Sequence, residues 1–100
     1  MPELVASAAN AHAHGARAQV YFEIKDYRLA ADDARRSIKL LKDLNIDVPS
    51  ASFRVLVDAE EVSENFEAAL EALRQWNDSN PQFATKVAKE AQRVRGKMQA

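Results

Sequence analysis

Apolar residues recur along this chain at spacings of three and four, the period of an α-helix. No stretch alternates long enough to read as a strand; the best apolar run, Val55 to Val57, sits inside a helical period. Val5, Ala8, Ala9, Ala13, Ala16, Val20 and Ile24 mark one stripe and predict a first helix from about Pro2 to Ile24. Proline suits the first turn because its missing N–H has no intrahelical partner there. Gly15 weakens the helix by about 1 kcal/mol relative to alanine, so the stretch before it is expected either as ordered helix or as a fraying arm.

Lys25 and Asp26 make a short turn, with Asp26 placed to cap a second helix from Tyr27 to about Leu44. Leu29, Ala30, Ala34, Ile38 and Leu41 form its inward stripe. Asn45 to Ser50 breaks the chain. A third helix, from about Pro49 to Val62, turns Phe53, Leu56 and Val57 inward, and Glu60 interrupts its period. After a turn at Ser63 to Asn65, a fourth helix runs from Phe66 to about Trp76 with Phe66, Ala69, Leu70 and Leu73 inward. Asn77 to Asn80 is expected as a loop rich in capping residues. Pro81 opens a fifth helix, 81–98, whose Phe83, Val87, Ala91, Val94 and Met98 make one continuous seam. The expected fold class is all-α, about five helices in a single domain, 1–100.

Composition narrows this further. One hundred residues make one domain, and 47% apolar with 29% charged residues excludes wholesale disorder. Two glycines and three prolines leave little room for the turns of a sandwich or barrel. With no cysteine there are no disulfides, thiolate metal sites or cysteine nucleophiles. The net charge of −1 argues against a nucleic-acid binder, whose affinity comes from clustered bases. The charge is nonetheless segregated. Asp58 to Glu71 holds six acids and no base, and Ala84 to Ala100 holds five bases against Glu90 alone. That order predicts self-complementary packing, polar pairing with a partner, or solvated helix faces. The N-terminus lacks a basic head and a long apolar run, so a cytoplasmic protein with no membrane span is expected.

The chain also repeats itself. Asp26-Tyr-Arg-Leu-Ala30 and Asn65-Phe-Glu-Ala-Ala69, 39 residues apart, are each a polar cap, an aromatic, two variable residues and an alanine. Each opens a helix after a tight turn. This unit resembles the tetratricopeptide repeat, a helical hairpin of about 34 residues. Ala18 answers the family's small residue in the first helix and Tyr21 the aromatic after it. Tyr27 and Phe66 answer the aromatic opening the second helix, Ala30 and Ala69 the alanine one turn on, and Pro81 the closing proline. The copies fall at 11–44 and 50–83, with 1–10 as an N-terminal extension and 81–98 as a capping helix. His14, Arg17, Val57, Glu60 and Trp76 depart from the family pattern, and the spacing exceeds its period by five residues. A five-helix bundle without repeat geometry is the alternative.

The resemblance implies antiparallel hairpins whose first helices line a concave groove that takes another protein. Its lining would be His12, Gln19, Phe22 and Glu23 from the first copy and Arg54, Asp58 and Glu61 from the second. Asp58 and Glu61 stand where family members that clamp a C-terminal carboxylate carry Lys or Asn. The face therefore suits a basic and apolar peptide or helix, with Phe22 as anchor. Homodimerisation is a further expectation, since two repeats bury little surface. The other candidate surface is the basic last helix, with Lys86, Lys89, Arg93, Arg95 and Lys97, which would bind nucleic acid only weakly.

No catalytic constellation is legible, so no enzyme is expected. His12 and His14 are two apart on a helix and cannot share a metal. Glu60, Glu64, Glu67 and Glu71 share a face but have no histidine or phosphate loop beside them. No metal and no cofactor are expected.

Overall fold

Each of the three tight turns in this chain is built the same way. After the first, second and third helices, the backbone N–H of Asp26, Ile46 and Asn65 reaches back five residues to the carbonyls of Tyr21, Leu41 and Glu60, at 2.9, 2.9 and 2.8 Å. The residue before each donor is left-handed: Lys25 at φ 67°, Asn45 at 56° and Glu64 at 62°. This is the six-to-one closure that usually places glycine in the left-handed position. Lys25 and Glu64 hold it with a side chain, at a steric cost that glycine avoids.

These turns join the helices of a computed structural model that describes residues 2–99. The helices are α1 (Pro2–Glu23), α2 (Tyr27–Asp43), α3 (Ser50–Val62), α4 (Phe66–Ser79) and α5 (Ala84–Gln99), with a 3-10 turn at Pro81–Phe83 leading into α5. The described residues contain no strand, and the fold is all-α with five helices. Among the described residues, no helix is long and apolar enough to cross a membrane. Asp26 caps α2 by accepting from the Leu29 N–H at 3.3 Å, as its position predicts. Asn65 makes no such side-chain bond. The expected loop at Asn77 to Asn80 is instead mostly the last turn of α4, because Asn80 donates back to the Trp76 carbonyl at 2.8 Å.

The first helix corrects the stripe its sequence predicts. Its buried residues are Ala11, Gly15 and Ala18, whereas Val5, Val20 and Ile24 are 68%, 55% and 65% exposed. Small residues win the inward face because α1 lies very close to its neighbours. A Cβ on Gly15 would meet Ser37 Oγ at 3.1 Å and Ser52 Oγ at 3.4 Å. The Ser37 hydroxyl in turn donates to the Ala11 carbonyl at 2.7 Å. Gly15 is thus a contact point rather than the start of a frayed arm. The α1–α2 hairpin is locked by buried Asp33, which accepts from Arg17 Nε and Nη2 at 2.6 and 2.7 Å with His14 Nδ1 at 3.3 Å. Arg17 holds the Asp33 carboxyl below the ordinary range despite its burial.

The inward stripes of α2, α3, α4 and α5 follow their periods, except that Met98 is exposed and Leu29 is half-buried outside the core cluster. Successive helices are antiparallel, as cross-contacts whose numbers rise on one helix and fall on the next require. Arg17–Asp33 and Phe22–Tyr27 show this for α1 and α2, and Arg35–Glu60 and Lys42–Phe53 for α2 and α3. Alternate helices run the same way. Gly15 lies beside Ser52, Arg54 bonds Glu90 and Glu61 bonds Lys97, with sequence offsets of 37, 36 and 36. Helices α1, α3 and α5 therefore share one layer and α2 and α4 the other. The extents, 50 × 30 × 16 Å, are those of an elongated two-layer slab. Its core runs from Ala11 and Ala18 at one end to Val87 and Val94 at the other.

Candidate functional site

Between α3 and α5 lies a groove of about 690 Å³ lined by Arg54, Phe83, Lys86, Lys89, Glu90 and Arg93, with Gln82 and Thr85 at its rim. Phe83 is the one aromatic side chain in its lining, and a buried ring cluster lies behind it. Trp76, the single tryptophan, is fully buried from α4 and stacks on Phe53, with ring centres 6.1 Å apart and planes 6° from parallel. Phe83 tilts against the same indole at 5.9 Å. Two cations sit over the Trp76 ring. The Arg54 guanidinium carbon lies 5.2 Å and Lys86 Nζ 5.6 Å from the Trp76 ring centre. Trp76 therefore fills the space between α3, α4 and α5 that a small residue would leave empty.

Arg54 organises the charges of the groove. It donates to Glu90 from both terminal nitrogens, one bond measuring 2.8 Å, and reaches Asp58 Oδ1 one turn away at 3.2 Å. Its own Nε and the Trp76 Nε1 are buried without a hydrogen-bond partner among the described residues. The Arg54 bonds hold the Glu90 carboxyl below its ordinary pKa against the effect of burial. Asp58 goes the other way: burial raises its pKa, with Glu90 and Glu61 adding to the rise and Arg54 only partly opposing it. Farther along, Glu61 accepts from Arg93 and, at 2.5 Å, from Lys97. Burial pushes the Glu61 pKa up, and the two bases pull it to a net lowering.

This arrangement reassigns the residues singled out from sequence. Arg54, Asp58 and Glu61 do share one face of α3, but they are paired within the chain. Glu61 neutralises Arg93 and Lys97, so one predicted site consumes part of the other. Part of the segregated charge thus meets in an α3–α5 seam, where Glu61 of the acidic run pairs with Arg93 and Lys97 of the basic one. The preference for a basic partner rested on free acids at Asp58 and Glu61, and it loses that support. Lys86, Lys89 and Arg95 make no ion pair among the described residues, and the first two line the groove. On α1, His12, Gln19 and Glu23 are exposed, while Phe22 is half-buried edge-on against Tyr27 at 5.4 Å and is not a free anchor. Of the acidic stripe, Glu60 is buried against Arg35 at 2.9 Å and Glu71 is held by Arg74, which draws its pKa down to about 2. The described residues hold no group of His, Asp and Glu arranged to bind a metal.

Phe83, Glu90 and Trp76 were not singled out as site residues from sequence, whereas Lys86, Lys89 and Arg93 were, as part of the basic surface of the last helix. Two signals pointed there: Trp76 stands where the repeat wants a small residue, and Glu90 is the lone acid of a basic segment. In comparison with known proteins, no family model, curated protein or solved structure matches the chain.

Proposed function

We propose that this protein is a protein–protein interaction module of stacked, tetratricopeptide-like helical hairpins, with α5 as the capping helix. It holds a segment of its partner on the α1/α3/α5 face. The observation that carries this reading is the α3–α5 groove, where Phe83, backed by the buried Trp76 ring, and two lysines outside any ion pair among the described residues meet in one depression. Apolar lining with a few placed charges is the usual composition of a binding cleft. The occupant that matches is an extended or helical segment with apolar and acidic side chains: the apolar group seats against Phe83 and its acids meet Lys86 and Lys89. Affinity then comes from the aromatic contact and selectivity from the charges. No covalent step is involved, and no cofactor is used.

Capture from native lysate by the wild-type chain is to be compared with capture by Lys86→Glu, Lys89→Glu, both checked for helicity by circular dichroism. A protein retained by the wild type and lost by the double variant supports the groove. Equal retention overturns it. Arg93 and Lys97 are taken up by Glu61, which leaves few free bases for phosphate, and elution from heparin at low salt is the expected companion result.

A further inference from the structure

A different surface, the outer face of α1, carries a second inference. Val5, Ala9, Ala13, Ala16, Val20 and Ile24 all lie within about 100° of arc, directly opposite the buried Ala11 and Ala18. Val5, Val20 and Ile24 are three of the five large hydrophobic residues that stand exposed on the described surface. The face is also nearly free of charge. Between Val5 and Ile24 the charged residues are Arg17, already held by Asp33, and the exposed Glu23 at the Ile24 end of the face. An exposed helix of a monomer ordinarily carries charge on its solvent side, and a continuous apolar face marks an interaction surface.

The order of residues says what covers it. Val5 and Ile24, Ala9 and Val20, and Ala13 and Ala16 each sum to 29, so the face is its own mirror about the point between His14 and Gly15. Two copies laid antiparallel would match Val5 with the partner's Ile24 and Ala9 with the partner's Val20. The alanines meet at the centre, where helix axes must approach most closely, and the larger residues fill the ends. This self-complementarity is what a two-fold interface requires and what an unrelated partner has no reason to need. Charge favours the same direction. Antiparallel packing sets the two Glu23 carboxylates at opposite ends of the contact, whereas parallel packing would place them side by side. We infer that the chain forms an antiparallel two-fold dimer through the outer face of α1. A face about 28 Å long and about 10 Å wide is small beside standard interfaces of about 1,200–2,000 Å² in total. The dimer is therefore weak and concentration-dependent, and it leaves the α3–α5 groove open.

Sedimentation equilibrium of the full chain from about 10 μM to 1 mM tests this, the range in which weak complexes form. The expected mass rises with concentration toward twice the 11.1 kDa of the monomer. Val20→Glu leaves the helix content unchanged, because Val20 is exposed, and weakens association by more than about tenfold through a charge buried at the contact. Direction is read by cross-linking, since the chain has no cysteine of its own. Ala9→Cys, Val20→Cys should oxidise to a covalent dimer, and Val5→Cys alone should not. The two cysteines of one chain lie about 16 Å apart along the helix and cannot bridge each other. A chain that stays monomeric at 1 mM overturns the inference and gives the face to another partner. So does a Val5→Cys variant that dimerises covalently as readily as the pair.

Discussion

Helix α1 packs on its neighbours through Ala11, Gly15 and Ala18, with backbones drawn close and Asp33 as the single ionic lock. Helix α5, at the other end of the slab, packs through Val87, Ala91 and Val94 over a Trp76–Phe53–Phe83 cluster and is pinned by Arg54–Glu90 and Glu61–Arg93. Their outer faces differ as sharply. That of α5 carries the polar Thr85, Lys89 and Gln92, with Lys86 and Arg95 on its two flanks. That of α1 carries Val5, Val20 and Ile24. One end is closed by charge, and the other is left to be covered. Similar hairpins are thus held by two kinds of physics, close contact of small residues and large rings with ion pairs.

The comparison breaks most visibly at Trp76. Trp76→Ala should cost about 3–5 kcal/mol, the range for removing a buried tryptophan. Urea denaturation followed by circular dichroism measures it, since the substitution removes the fluorophore. Hydrogen exchange should show protection lost first in α3 to α5 and kept in α1 and α2. Equal loss in both regions would mean that the ends are not independently held.

Gly15→Val is the corresponding wound at the α1 end, expected to cost about 1–3 kcal/mol because Ser37 is tied to the Ala11 carbonyl and cannot retreat. Val20→Lys, on the other side of the same helix, should change monomer stability by no more than about 0.5 kcal/mol. A thermal melt separates the two, and similar losses would contradict the inward face assigned to α1.

Acid should act on the α5 end through its carboxylates. Glu61 and Glu90 have folded pKa values below their ordinary 4.5, so their contribution is present above that value and is lost as pH falls through the lower folded values. Glu61→Gln should cost about 1 kcal/mol at neutral pH and flatten this acid loss. Asp58 has the opposite sign. Its pKa is raised, so its stabilising share is present in the protonated form and lost as pH rises, and Asp58→Asn should be neutral or stabilising at pH 7. Urea midpoints at neutral and acid pH check all three statements.

The smallest effect belongs to the turns. Glu64→Gly and Lys25→Gly relieve a left-handed side chain, and each should stabilise by about 0.5 kcal/mol net of the greater freedom of glycine when unfolded. Loss of stability in either variant would mean that the side chain makes a compensating contact.

The five helices were legible because 3.6-residue periodicity is a local signal. Asp26 capped α2 where its residue type and position said it would. The buried stripes of α2 to α5 were read nearly residue by residue, Leu29 and Met98 apart. The inward face of α1 was not. In a helix whose residues are mostly small, hydrophobicity does not choose a side; the distance to the next backbone does, and that distance exists only after α2 and α3 are in place. The end of α4 was misread for a related reason, since Asn77 to Ser79 are good capping residues held helical by the bond from Asn80 to Trp76.

By itself, then, the sequence determined the all-α class, the order of the five helices and the segregation of charge between α3–α4 and α5, because each depends on residues near one another in the chain. Tertiary structure alone decided that Glu61 meets Arg93 and Lys97, that Arg54 bridges Glu90 and Trp76, and that α1 turns its valines outward. Those outcomes depend on residues far apart in the chain meeting on neighbouring helices, as Arg54–Glu90 and Glu61–Lys97 do at 36 positions, a pairing that stacking creates and that no local period encodes.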